Sequence, residues 1–180
     1  MVKLLVNKTL FFFLFFLSSV NGFSQEYKGM VDVGYVFETN KHNQERAILS
    51  TTHGVNLTPA IFLGAGVQMD ILTDKTLGQK RVALPLFLNF NWTFLPHKSF
   101  SPFVDLRGGY SVAGNTGHYV AWGIGVQYKV TKSNSLILSV GGEYQKYKYT
   151  FQGEKDWDLN NGPFARVGFV SPSSSSSVMV

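Results

Sequence analysis

Chemistry in this chain would fall first to its histidines, because there is no cysteine to serve as nucleophile or thiolate ligand. They are His42, His53, His97 and His118. A histidine acting as general base needs a nucleophile within reach and an acid to orient it. His53 has Ser50 and Thr51 beside it but no acid near it in sequence, and two residues beyond His118 stands Val120, which has no hydroxyl. No two histidines share a strand face at ligand spacing, and Asp156 and Asp158 read as a solvated acidic loop with weak calcium affinity at most. No glycine-rich loop leads from a strand into a helix to cradle phosphate. These residue types predict no catalytic site, no metal site and no cofactor.

The elements that would position any site are strands. The 180 residues are 44% hydrophobic, 15% aromatic and 15% charged, a composition for one ordered domain, and the 18 glycines and 16 phenylalanines favour β structure. A formal charge of +5 comes from scattered basic residues without a run or stripe, so no nucleic-acid partner is expected. From Tyr27 onwards apolar residues alternate with small or polar ones. Eight strands result: Tyr27 to Glu38, Ala47 to Leu57, Ala60 to Asp70, Arg81 to Phe94, Ser101 to Val112, Tyr119 to Val130, one from Ser135, and Gly162 to Val170. The fourth is clearest, with Val82, Leu84, Leu86, Leu88, Phe90, Trp92 and Phe94 on one face.

Ahead of them, Lys3 and Lys8 precede the apolar run Leu10 to Leu17 and the small residues Gly22 and Ser24. Residues 1–24 thus read as a cleaved signal peptide, the run being about half of the ~20 residues a membrane helix needs. Residues 25–170 form the folded domain, and 171–180 form a low-complexity, serine-rich tail.

Charge placement selects among β architectures. The apolar face carries no Asp, Glu, Lys or Arg at mid-strand, whereas the glycine-rich opposite face carries Asp32, Asp105, Arg107, Glu143 and Arg166. A water-soluble barrel needs a charged coat, while a membrane barrel needs an apolar one around a polar interior. The five charges are therefore expected to form an interior network, with glycines making room for arginine side chains. Tyr27, Trp92, Phe94, Tyr128 and Phe169 form one aromatic belt, and Tyr35, Phe37, Tyr110, Trp122 and Tyr144 form a second. Tight turns at one end are expected to contrast with longer loops at 40–45, 71–80 and 153–161 at the other. His97 falls in a turn and His42 and His118 in loops. His53 is aimed at lipid near mid-span, so a bulge that turns it inwards or towards a neighbour is expected. The fold class is all-β: an eight-stranded antiparallel up-and-down transmembrane β-barrel.

Gln25 after the leader, the run Leu84-Pro85-Leu86-Phe87-Leu88-Asn89-Phe90, the segment Pro102 to Tyr110 and the spacing Gly123-x-Gly125-x-x-Tyr128 carry a resemblance. The chain resembles the small eight-stranded outer-membrane β-barrel family typical of Bacteroidota, the porin-family barrels, similar in plan to the OmpA and OmpX barrels. The resemblance implies a fold and an outer-membrane location, and it implies no activity. Such chains usually finish on an aromatic residue read by the barrel-assembly machinery, whereas this one continues past Phe169.

Past Tyr144 the seventh strand continues without a break, adding Lys146, Tyr147, Lys148 and Tyr149 before Trp157. These residues are a candidate contact surface above the bilayer, with the lysines near acidic head groups. The expected partners are outer-membrane lipid, lipopolysaccharide and the assembly machinery, with the protein a monomer. A structural or surface-interaction role follows, and the alternatives are a lipid A-modifying barrel enzyme or a small-solute channel.

Overall fold

The computed structural model describes residues 26–37, 44–74, 80–113, 116–131, 134–151 and 154–172. The leader 1–24, His42 and residues 173–180 of the serine tail lie outside the described residues. Strand segments follow one another as β1 (Glu26–Val36), β2 (Gln44–Asn56), β3 (Ile61–Asp74), β4 (Lys80–Ala83), β5 (Pro85–Thr93), β6 (Phe100–Ser111), β7 (Gly117–Lys129), β8 (Ser135–Phe151) and β9 (Glu154–Pro172). β4 and β5 are halves of one stave. Both face β3 in a single register, from Thr73↔Lys80 to Ile61↔Trp92, and the pairing lapses only around Leu84 and Pro85. Pro85 has no N–H to contribute to a ladder.

Every neighbouring pair is antiparallel, and β1 bonds to both β2 and β9, so eight staves close into a barrel. Closure removes the free edge that an open sheet would present. Both ends of the described chain lie at one mouth, called here the terminal mouth, beside the connections 57–60, 94–99 and 130–134. β9 runs through Ser171 and Pro172, which face Gly29 and Lys28, so the first two residues assigned to the tail belong to the last strand.

The expected contrast between short turns and long loops is corrected by the structure. The opposite mouth has connections 37–43, 75–79, 112–116 and 152–153, because residues expected in loops are strand there. Gln44 pairs with Asp74, and β9 pairs with β8 from Glu154↔Phe151 through Asn161↔Tyr144. The ladder bonds backbone groups whatever the side chain, so a polar stretch ends the apolar coat without ending the strand. The asymmetry lies in strand height instead. β7 accompanies β8 only as far as Gly117↔Tyr147, and β1 reaches β9 only at Val36↔Phe164 with one further bond from Phe37 N to the Pro163 carbonyl. Beyond those points β8 and β9 form a two-stranded ribbon.

Side-chain alternation then sorts inside from outside. Val31, Val33, Leu86, Leu88, Leu106, Ile124, Leu138 and Val140 are exposed on the outer wall, Leu88 at 71%. Two apolar clusters fill part of the interior: Met30, Phe62, Phe103, Ile137 and Val170 nearer the terminal mouth, and Val36, Ile48, Phe87, Tyr119, Ala121 and Phe164 nearer the other. The glycines chiefly make room for these rings, a correction to the expectation that they serve arginines. A Cβ on Gly66 would lie 2.6 Å from Phe87, on Gly125 2.5 Å from Phe103, and on Gly141 2.8 Å from Phe164. Gly34, whose Cβ would lie 2.7 Å from Arg166 Cγ, is the one described glycine seen to clear an arginine stem. Gly66, Gly125 and Gly141 are each the ladder partner of that phenylalanine on the adjacent strand, so the ring lies over the space that a side chain there would take.

Candidate functional site

The barrel interior holds a continuous polar network. Asp32, Asp105, Arg107, Glu143 and Arg166 all lie inside and are buried. Arg107 Nη2 donates to Asp32 Oδ2 and Arg107 Nε to Asp105 Oδ2, each at 2.9 Å. Arg166 Nη2 donates to Glu143 Oε2 at 2.6 Å, and its Nε lies 3.9 Å from Asp32 Oδ1. The five therefore run in one chain, Asp105, Arg107, Asp32, Arg166, Glu143, around the β1–β9 closure. Each arginine also rests on a ring, Arg107 Cζ 5.0 Å from the Phe87 centroid and Arg166 Cζ 3.9 Å from that of Phe164.

Sequence reasoning missed the network's other half. Arg46 Nη2 lies 3.4 Å from Glu143 Oε1, Arg46 Nη1 3.8 Å from Asp70 Oδ2, and Arg46 Nη1 donates to Gln145 Oε1. Gln68 Nε2 donates to Asp70 Oδ1 at 2.7 Å, and the Tyr119 hydroxyl donates to Gln68 Oε1 at 3.0 Å. Arg107 Nη1 donates to Ser50 Oγ at 2.9 Å, and Asn89 Nδ2 to Asp105 Oδ1 at 2.7 Å. With these partners all eight staves contribute. Arg46 lies one residue before the strand that the sequence predicts from Ala47, and Asp70 stands at the predicted end of the next. Continuing the even-numbered face of Ser50 and Thr52 back to Ile48 and Arg46 would have found it.

In lipid, this network specifies the fold more than it strengthens it. A strand apolar on both faces would have no preferred side towards hydrocarbon, whereas one carrying an ionised group must turn that face inwards. Buried ion pairs repay their desolvation only when their remaining polar atoms are hydrogen-bonded, and Asp32 Oδ1, Arg46 Nε, Asp70 Oδ2 and Arg166 Nε are buried without a hydrogen bond among the described residues. Arg46, Asp32, Gln68, Asp70, Glu143 and Arg166 are all 2% exposed or less, so the network also fills the lumen at its level.

The histidines stand apart from it. His53 remains on the outer face with no bulge, since β1 and β2 keep one register from Glu26↔Asn56 to Val36↔Arg46. It sits near the terminal mouth, where the Tyr27 hydroxyl bonds to Nδ1 and Thr51 Oγ1 lies 3.0 Å from Nε2. Those two bonds satisfy the ring and replace the bulge the sequence suggested. No carboxylate joins that set among the described residues, so nothing there orients the imidazole as a base. His118 belongs to β7 rather than to a loop and packs edge-on against Tyr110 in the belt, centroids 5.6 Å apart. His97 is exposed in the 94–99 turn. Among the described residues no three His, Asp or Glu side chains gather as a metal site.

Of the candidate surface residues, Lys146 is half-buried, and Tyr147, Lys148, Tyr149 and Trp157 lie on the paired strands of the ribbon, Tyr147 opposite Asp158, Lys148 opposite Trp157 and Tyr149 opposite Asp156. Trp157, Asp156 and Asp158 are thus strand residues, not loop residues, because β9 begins at Glu154. The side chains of Tyr147, Lys148, Tyr149 and Trp157 lie outside the described residues.

No protein-family model and no curated protein sequence matches the chain. Among solved structures, the E. coli outer membrane protein W aligns with a TM-score of 0.52 over 83% of this chain and 99% of that one, at 14% identity. Neisserial surface protein A aligns with a TM-score of 0.52 over 82% of this chain and 96% of that one, at 10% identity. Likeness at such identity is likeness of fold. With an apolar outer wall, a charged lumen and eight closed staves, the chain has the fold of the small transmembrane β-barrels of outer membranes.

Proposed function

We propose that this protein resides in the outer membrane, exported by a cleaved leader, and serves there as a structural or surface-contact barrel rather than as an enzyme or an open pore. The observation that carries this reading is the filled lumen: charged or polar side chains from every stave meet inside, while the outer wall offers hydrocarbon contact. The Bacteroidota-type porin-family assignment rests on the sequence resemblance given above. Both chain ends face the periplasm in this reading, because an even number of staves returns the chain to the side from which an exported protein inserts. The β8–β9 ribbon then rises on the cell surface, with Lys146 at its base and Lys148 along it, suited to the acidic head groups of lipopolysaccharide. Its other partners are the lipids of the wall and the barrel-assembly machinery, and one chain closes the barrel as a monomer.

The test is made on protein refolded in detergent. It should resist SDS at room temperature and shift in gel mobility on boiling, since a closed barrel has no edge at which unfolding starts. In planar bilayers it should give no stepwise conductance. Regular conductance steps would favour the small-solute channel, and a monodisperse fraction without detergent would end the membrane assignment.

A further inference from the structure

Beyond the filled level of the lumen, the terminal mouth opens into a cavity of about 210 Å³. Its inner end is the apolar cluster, represented by Phe62 and Val170, and Pro59 and Pro96 stiffen its rim. Lys28 projects into it and is 8% exposed. Its Nζ lies 5.3 Å from the Phe62 ring centroid, and it has no hydrogen bond and no ion pair within 4 Å among the described residues. Among the described residues, every other buried ionised side chain has an opposite charge within that distance. The ring face partly compensates the ammonium, but three N–H donors still need acceptors, and an unpaired buried cation is costly.

The surrounding groups complete a cradle for an acceptor. Ser135 Oγ accepts from Gln127 Nε2 at 3.0 Å, which leaves its own hydrogen free to donate into the cavity. Lys129 stands at the same mouth, held by a 2.8 Å bond from Nζ to the Pro96 carbonyl. Glu26 lies at the exposed rim. We propose that this vestibule is a binding site for a compact oxyanion, a carboxylate or a phosphate, held chiefly by the Lys28 ammonium with the Ser135 hydroxyl and the field of Lys129. An ammonium is a point charge with rotatable donors, so it accepts either planar or tetrahedral oxyanions. In the orientation proposed above, the occupant would be a periplasmic carboxylate or phosphate.

The experiment is a ¹H–¹⁵N NMR titration of the full chain refolded in octyl glucoside, which carries neither phosphate nor charge. Sodium acetate and sodium phosphate are added separately, with ionic strength held constant by sodium chloride. Saturable shifts confined to amides near Lys28, residues 56–62 and residues 127–135 are expected, and the anion that produces them identifies the class. Lys28→Met should weaken that binding roughly tenfold or more, and Ser135→Ala several-fold. Shifts with neither anion, shifts that chloride reproduces equally, or a Lys28→Met titration matching the native one would overturn the site. Should Lys28→Met fail to refold, the native titration and Ser135→Ala still decide the matter.

Discussion

Arg107 shows how the interior can be tested one side chain at a time. Its guanidinium is shared between Asp32 on β1 and Asp105 on its own strand. Replacing it with Met keeps most of the volume but leaves two carboxylates facing each other in a closed lumen. Breaking a buried pair from one side costs about 3–5 kcal/mol, so Arg107→Met should lower the unfolding free energy of the detergent-refolded protein, read from a urea titration, by that much. Arg107→Lys should recover only part, because an ammonium cannot serve both carboxylates in the forked geometry. Packing offers a second test at Gly125, whose missing Cβ leaves room for the Phe103 ring. Gly125→Val should cost about 1–3 kcal/mol by overpacking, read from the same titration. The five interior charges were legible because alternation alone assigns a face. Phe62, Phe87, Phe103 and Phe164 were not, since a phenylalanine on the polar face looks like noise until the glycines across from it are known.

At the scale of strands, the middle of each was legible and the ends were not. Period-two alternation is strong only where one face meets hydrocarbon and the other the lumen, as between Leu136 and Tyr144 on β8. Above the hydrocarbon both faces are wet, alternation fades, and residues 154–161 read as a loop although their backbone continues the ladder to Phe151. The ribbon this creates has one hydrogen-bonded neighbour per strand where the wall has two. Local opening follows the number of such supports. Amides of Lys148 to Phe151 and of Glu154 to Asn160 should therefore exchange with deuterium faster than those of Leu136 to Glu143, with protection rising stepwise near Tyr147. Uniform protection along β8 would show that something else covers the ribbon's edges.

For the whole molecule, the decisive property is which side of the sheet is its outside. The fold could be read from the sequence because charge cannot sit on both faces: Asp32 and Arg166 exclude one face from lipid, and Leu86, Leu88 and Ile124 exclude the other from water. Leu88 tests that reasoning most directly. It lies mid-wall, opposite Ala65 on β3 and Gly108 on β6, and is the most exposed large apolar side chain described. On a water-soluble barrel Leu88→Arg would be neutral or would improve solubility, since a lone exposed leucine contributes little. On a transmembrane barrel the same change places a guanidinium in hydrocarbon, at a cost of about 2–4 kcal/mol near the bilayer midplane. Refolded into phosphatidylcholine vesicles, Leu88→Arg should lose that much stability against urea, whereas Val130→Arg, exposed on the outside at the terminal mouth, should lose far less. The contrast separates lipid depth from any general effect of adding arginine, and equal losses at the two positions would mean that the wall of this barrel does not face a membrane.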